Sequence, residues 1–127
     1  MSEWSDMRSE PTAAVPYKES PRPISIKVGP FQFEVRYEPE IKPNGDREVE
    51  GYCDNGRHII AVSTDGKSED FIRSSLLHEL KHAVLRLTVD SSDRKFTEEK
   101  IIQRQCNLEL ALFRDNPELR RYLFGGE

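Results

Sequence analysis

The chain of 127 residues carries 19 basic and 23 acidic side chains, a formal net charge of −4 with both signs interspersed. That length suits one domain with a single modest core, and the charge balance offers no basic surface for nucleic acid or for an acidic membrane. No apolar run approaches a membrane span. Two cysteines without CxxC spacing, Cys53 and Cys106, in a chain lacking an apolar signal segment, point to a cytoplasmic protein rather than a secreted one.

Residues 1–23 hold four of the eight prolines and no apolar period, so they read as a disordered tail, with Trp4 and Tyr17 as its isolated aromatics. The folded domain is expected over 24–127. From Ile24 the pattern alternates strictly, Ile24, Ile26 and Val28, then Phe31, Phe33, Val35 and Tyr37, broken at Gly29-Pro30. This predicts two strands with one buried face. A loop built from Pro39, Pro43 and Asn44-Gly45-Asp46 follows. Glu48 to Cys53 and Arg57 to Ser63 then flank Asn55-Gly56, the strongest hairpin signal in the sequence. The second arm, His58 to Ser63, is a candidate edge strand for pairing with an extended peptide.

Asp65-Gly66 closes that strand, and Ser68 can cap a helix with Glu69 and Asp70 in its first turn. The helix contains His78-Glu79-Leu80-Lys81-His82, an HExxH motif. Residues four apart lie one above the other on a helix, so the two imidazoles can chelate one metal ion while Glu79 stands beside it. Ile72, Leu76, Leu80, Ala83, Val84 and Leu87 form a stripe to pack on the sheet. His78 and His82 share another side with Phe71, Ser75 and Leu85, which is expected to be covered by a second element, while Lys81 reads as a solvated charge.

After a polar link over 89–96, Thr97 can cap a second helix running to about Arg114. Its apolar face, Ile101, Ile102, Cys106, Leu108, Leu110, Leu112 and Phe113, is centred near Glu98 and Glu109, with Glu99 at the edge. A carboxylate within an apolar face needs a metal or a cation, which makes Glu98 the candidate third metal ligand and Glu99 the alternative. Both also suit the first turn of a helix for its dipole alone. Glu109 is too far along to share that turn and is expected to pair with a cation. Asn116 and Pro117 then stop the helix and cap a short C-terminal one ending at Gly125-Gly126.

Read as a catalyst, His78, His82 and Glu98 hold Zn²⁺, and Glu79 is the general base that deprotonates a metal-activated water in peptide-bond hydrolysis. His58, Tyr52 and Tyr122 are the candidates to steady the oxyanion, and Cys53 reads as a small buried thiol. The alternative is a non-catalytic, zinc-stabilised module that binds a protein partner. With its Asn-Gly hairpin, LLHELKHAVLRL, EEKIIQRQ and DNPELRRYL, the stretch from Ile24 to Phe124 resembles small HExxH metallopeptidase-like proteins of phages and prophages related to the ImmA/IrrE metallo-endopeptidases. The resemblance implies an α+β, minimal zincin-like fold: a small antiparallel sheet on the HExxH helix, then a ligand-bearing helix and a short closing helix. It further implies zinc as cofactor, a protein or peptide substrate, and a third ligand from the second helix. In the wider gluzincin pattern that glutamate stands four residues before Asp or Asn. Here Glu98 precedes Ile102, which keeps Glu99 open.

Overall fold

The computed structural model describes residues 20–42, 48–89 and 97–125. Trp4, Tyr17, the Asn44-Gly45-Asp46 turn, most of the polar link and Gly126 lie outside them. Four strands and three helices follow in order: β1 Ser25–Val28, β2 Phe31–Glu38, β3 Gly51–Asp54, β4 Ile59–Ser63, α1 Glu69–Thr88, α2 Glu98–Asp115 and α3 Pro117–Phe124. The architecture is α+β, and among the described residues no helix is long and apolar enough to cross a membrane.

The sheet is mixed, not antiparallel throughout. Its order is β1-β2-β4-β3, with antiparallel β1/β2 and β3/β4 hairpins joined through a parallel β2/β4 pair. Hydrophobicity explains the order. Ile60, Ala61 and Val62 are fully buried, and a strand that apolar gains most in the middle of a sheet, covered on both edges. Seated between β2 and β3, it pairs parallel with β2. The strand expected at the edge, His58 to Ser63, is therefore central, and β3 is the free edge beside α1. Ile24 stands outside the alternation it suggested and is 71% exposed.

The two turns work differently. At the β1/β2 turn Gly29 adopts φ 59°, and a Cβ there would meet Leu87 Cδ1 at 2.9 Å. The β3/β4 connection is longer than the two-residue turn that Asn55-Gly56 suggests. Asp54 Oδ1 accepts hydrogen bonds from the backbone N–H groups of Gly56 and Arg57, both at 3.0 Å. The left-handed residue is His58, at φ 59°, its ring stacked on Phe31 with centroids 4.5 Å apart. The Asp54 carboxylate thus organises the loop.

Ile26, Val28, Phe33, Val35, Ile60 and Val62 share one buried core with Ile72, Leu76, Leu80, Ala83 and Val84 of α1 and with Leu112, Leu119 and Tyr122; α1 lies on β3 and β4, and α2 on β1. Ser68 caps α1 by accepting from Phe71 N–H at 3.1 Å, and Thr97 caps α2 by accepting from Lys100 N–H at 3.3 Å. Asn116 does not cap α3 with its side chain. That side chain, 4% exposed, brackets Lys27 instead, accepting from its N–H and donating to its C=O, both at 2.8 Å, and donates also to Leu112 O at 2.7 Å. It fixes the α2–α3 corner to β1. The apolar face of α2 is narrower than its wheel suggests. Leu112 is buried, but Ile102 and Leu110 are 45% and 68% exposed, and Leu110, two residues before Leu112, lies on the opposite side of the helix.

The fold begins before Ile24. Arg22 makes a bidentate ion pair with Glu69 at 2.8 and 2.9 Å, Tyr122 donates to the same carboxylate at 2.5 Å, and Tyr37 donates to Pro23 O at 2.8 Å. The segment from Ser20 to Pro23, expected within the tail, is thereby fastened to the start of α1 and to α3. Hydrogen bonds from Arg22 and Tyr122 outweigh the cost of desolvation and hold the Glu69 carboxyl at about 2, below the carboxylate value of 4.5. A carboxyl whose folded pKa is depressed adds stability that is full above pH 4.5 and is lost as pH falls towards 2. With its side chain 34% exposed, solvent screening holds the effect to about 1 kcal/mol. Glu69→Gln is therefore expected to destabilise the fold by that amount at pH 7 and to flatten the decline in acid. Urea titrations at a series of pH values check this, and an unchanged acid limb would relocate that dependence to other carboxylates.

Candidate metal centre and active site

The rotation of α1 follows from its buried stripe. At about 100° per residue, Leu76, Leu80 and Val84 point at the sheet, Glu79 lies at the stripe's β3 side, and His78 and His82 point away from the sheet. The imidazoles are exposed. Their Nε2 atoms stand 3.3 Å apart, with ring centroids at 4.9 Å and planes at 72°. Two nitrogens bound about 2.05 Å from a tetrahedral zinc are separated by about 3.3 Å. The same distance allows one Nε2–H to donate to the other ring, depending on tautomer, so the pair is set for a shared proton or a shared cation.

Glu79 is 7% exposed and has no hydrogen bond or ion pair among the described residues. Burial pushes its carboxyl above the ordinary range, and His78 and His82 partly oppose that rise. A carboxylate raised toward neutrality is a better proton acceptor at physiological pH than an exposed one. It abuts the edge strand at Gly51. A Cβ on Gly51 would lie 3.2 Å from Glu79 Oε2, 3.3 Å from Glu79 Cγ and 2.7 Å from the carbonyl oxygen of Ala61. The chain needs glycine here for close approach rather than for an unusual φ. Nothing in the sequence pattern singled out Gly51. Its only signal was a glycine opening a short strand, which marks close backbone approach.

A groove runs between β3 and α1 on both sides of Glu79. One lobe, about 640 Å³, is lined by Gly51, Tyr52, Cys53, Asn55, Arg86 and Val89 as well as the motif residues. The other, about 600 Å³, passes Glu48, Glu50, Phe71, Ser74 and Ser75. The β3 backbone contributes too. Ser63 N–H donates to Glu50 O at 2.9 Å, and the register pairs Gly51 with Val62 and Cys53 with Ile60. In an antiparallel ladder hydrogen-bonded and non-bonded pairs alternate, so Gly51 and Cys53 turn their N–H and C=O groups to the open edge. Burial first, then the charges of Glu79 and Asp54, pushes the Cys53 thiol up to about 11. It stays protonated at neutral pH and is neither a ready nucleophile nor a ready thiolate ligand.

The face around the histidines is open rather than covered: Phe71 and Leu85 are 39% and 46% exposed. On the α2 side, the residue across from both imidazoles is Gln105. Glu98 and Glu99 are exposed at the helix start, and among the described residues no third His, Cys, Asp or Glu joins the pair. The reason is axial. Arg104 donates to Leu87 O at 3.3 Å and Lys81 ion-pairs with Glu109 at 3.3 Å, so the helices run antiparallel. Gln105 shares a stripe with Glu98 but lies seven residues on, about 10 Å along the axis. Lys81 is thus a partner for Glu109 rather than only a solvated charge. Of the oxyanion candidates, Tyr52 lines the groove, His58 is stacked on Phe31 and Phe33, and Tyr122 is buried against Glu69.

No protein-family model, curated protein or solved structure matches the chain.

Gly51→Ala is expected to strain β3 against the Ala61 carbonyl of β4 and to crowd Glu79, at a cost of about 1–3 kcal/mol, the usual penalty for an extra methyl in a packed contact. Thermal melting measures it, and an unchanged Tm would show that the strand edge yields freely there.

Proposed function

We propose that the protein is a zinc-dependent endopeptidase that hydrolyses a peptide bond of an extended segment lying in the β3/α1 groove. The observation that carries this reading is the 3.3 Å separation of the His78 and His82 Nε2 atoms, a tetrahedral zinc span, next to a buried carboxylate with no partner of its own. His78 and His82 fit zinc as neutral imidazoles. A zinc ion held there supplies Lewis acidity toward water and the scissile carbonyl.

The remaining chemistry falls to side chains and backbone of this chain. The outward N–H and C=O groups of Gly51 and Cys53 orient the substrate strand by adding it to the sheet. Glu79 takes one proton from the attacking water as its oxygen bonds to the carbonyl carbon. As the C–N bond breaks, Glu79 returns that proton to the leaving amine. Its burial and its neighbours, two exposed imidazoles, keep its affinity for the proton within range of both transfers. The likeness of LLHELKHAVLRL and EEKIIQRQ to the ImmA/IrrE-related proteins supports the same reaction class.

The chain is expected to bind about one zinc ion, following the logic of a single tetrahedral site, and to lose it on His78→Ala or His82→Ala. Glu79→Gln should retain zinc while losing cleavage of an unstructured protein by at least a hundredfold. Metal analysis combined with a casein digest tests both, and equal digestion by wild type and Glu79→Gln would overturn the enzyme reading in favour of a zinc-stabilised binding module.

The third ligand has its own test. In the arrangement described above, Glu98→Ala and Glu99→Ala leave zinc affinity within about threefold, since an exposed carboxylate roughly 10 Å along the helix makes no bond to the ion. Titration against a zinc-binding dye measures this. A loss of tenfold or more at Glu98 would show instead that α2 advances by two turns when zinc binds, and a loss at Glu99 alone would assign the ligand to that residue.

A further inference from the structure

The groove is charged asymmetrically along its length. At the end where β3 begins, Glu48 and Glu50 line it and no lysine or arginine does. At the other end, beyond Cys53 and Asn55, Arg86 lines it. None of these three has an ion pair among the described residues, whereas Asp54 at the Arg86 end is already engaged by the backbone of its own loop and by Arg57 at 3.9 Å. Between the two ends sits Glu79, more than nine-tenths buried, unpartnered and facing both lobes. A buried polar group that turns to a groove without a partner marks a place where a ligand completes the bonding.

The edge itself has a direction. Gly51 and Cys53 present paired donors and acceptors outward, and antiparallel addition to such an edge is the more stable of the two choices per residue. A peptide antiparallel to β3 places its C-terminal half beside Glu48 and Glu50 and its N-terminal half beside Asn55 and Arg86.

We propose that the groove selects an extended peptide with basic residues C-terminal to the scissile bond and acidic residues N-terminal to it, read by Glu48 and Glu50 at one end and Arg86 at the other. The assignment rests on the groove being the substrate site of the endopeptidase proposed above. Like charges facing one another disfavour the reversed peptide, so the asymmetry excludes wrong segments as much as it attracts right ones. Phe71 and Leu85, both partly exposed near the histidines, leave the central positions to apolar side chains.

The experiment uses two isomeric peptides with the same apolar centre. One carries two aspartates near its N-terminus and two lysines near its C-terminus, and the other has these charges exchanged. Binding of each, labelled with a fluorophore, is measured by anisotropy on the zinc-loaded full chain bearing Glu79→Gln, and cleavage is followed on the wild type. The first isomer is expected to bind about tenfold more tightly, a ratio within reach of a few exposed ion pairs. Salt should erode that ratio. Combining Glu48→Lys with Glu50→Lys should reverse the order, and Arg86→Glu alone should reduce it from the opposite end. Circular dichroism melts verify that these surface variants fold. Equal binding of the isomers, or a preference for the second, would overturn the proposal. If the first isomer binds preferentially but wild type cleaves neither, the groove assignment stands and the endopeptidase reading falls. If both are cleaved with no preference, the converse holds.

Discussion

The rest of the molecule depends on the contact between the apolar stripe of α1 and the central strand β4. Leu76, Leu80, Ala83 and Val84 on the helix, with Ile60 and Val62 on the strand, are almost entirely removed from water. Burial of such side chains contributes about 1.5–3 kcal/mol each, so the helix has one favoured rotation. Once that rotation is set, the positions of the motif follow from the helical repeat alone. His78 and His82 point outward, and Glu79, one residue after the first of them, turns toward β3. The placement of the Glu79 carboxylate is a by-product of hydrophobic packing a turn away.

That packing also determines what sits beside the site. Because β4 occupies the middle of the sheet, β3 is left at the edge, and the edge is the part of a sheet able to accept another strand. Gly51 brings it close enough for Glu79 to line a groove with backbone donors and acceptors on one wall and imidazoles near the other. An alanine there would press on the Ala61 carbonyl and crowd the Glu79 side chain. Sequence positions 51, 79 and 86 meet only through the order of the strands, so the groove is a property of topology more than of any motif.

Local features of the sequence were the legible ones. The caps at Ser68 and Thr97, the Pro117 restart, the stripe on α1 and the pairing of Glu109 with a cation each depend on residues within a few turns or on simple valence. Strand order was not legible, since hairpin signals fix neighbours and say nothing about which hairpin edges join. For α2, the wheel puts Glu98 near the middle of the apolar face but carries no information about height along the axis. That height depends on the link preceding Thr97 and on distant anchors, Lys81 with Glu109 and Arg104 with Leu87. The Asn55-Gly56 signal marked the β3/β4 hairpin correctly, but not its loop, where the Asp54 carboxylate accepts from two N–H groups and the left-handed residue is His58.

Asn116 gives α2 a fulcrum. Its three hydrogen bonds tie the C-terminal corner of the helix to β1 and to Leu112, and Leu112 is the one residue of α2 that is buried. The first turn, Glu98 to Lys100, is exposed throughout, whereas Ile101, Gln105 and Leu108 further along are half-buried, so the ties of the helix to the rest of the fold lie beyond its first turn. The carboxylates of Glu98 and Glu99 stand in that exposed first turn, at the end of α2 furthest from the Asn116 tie.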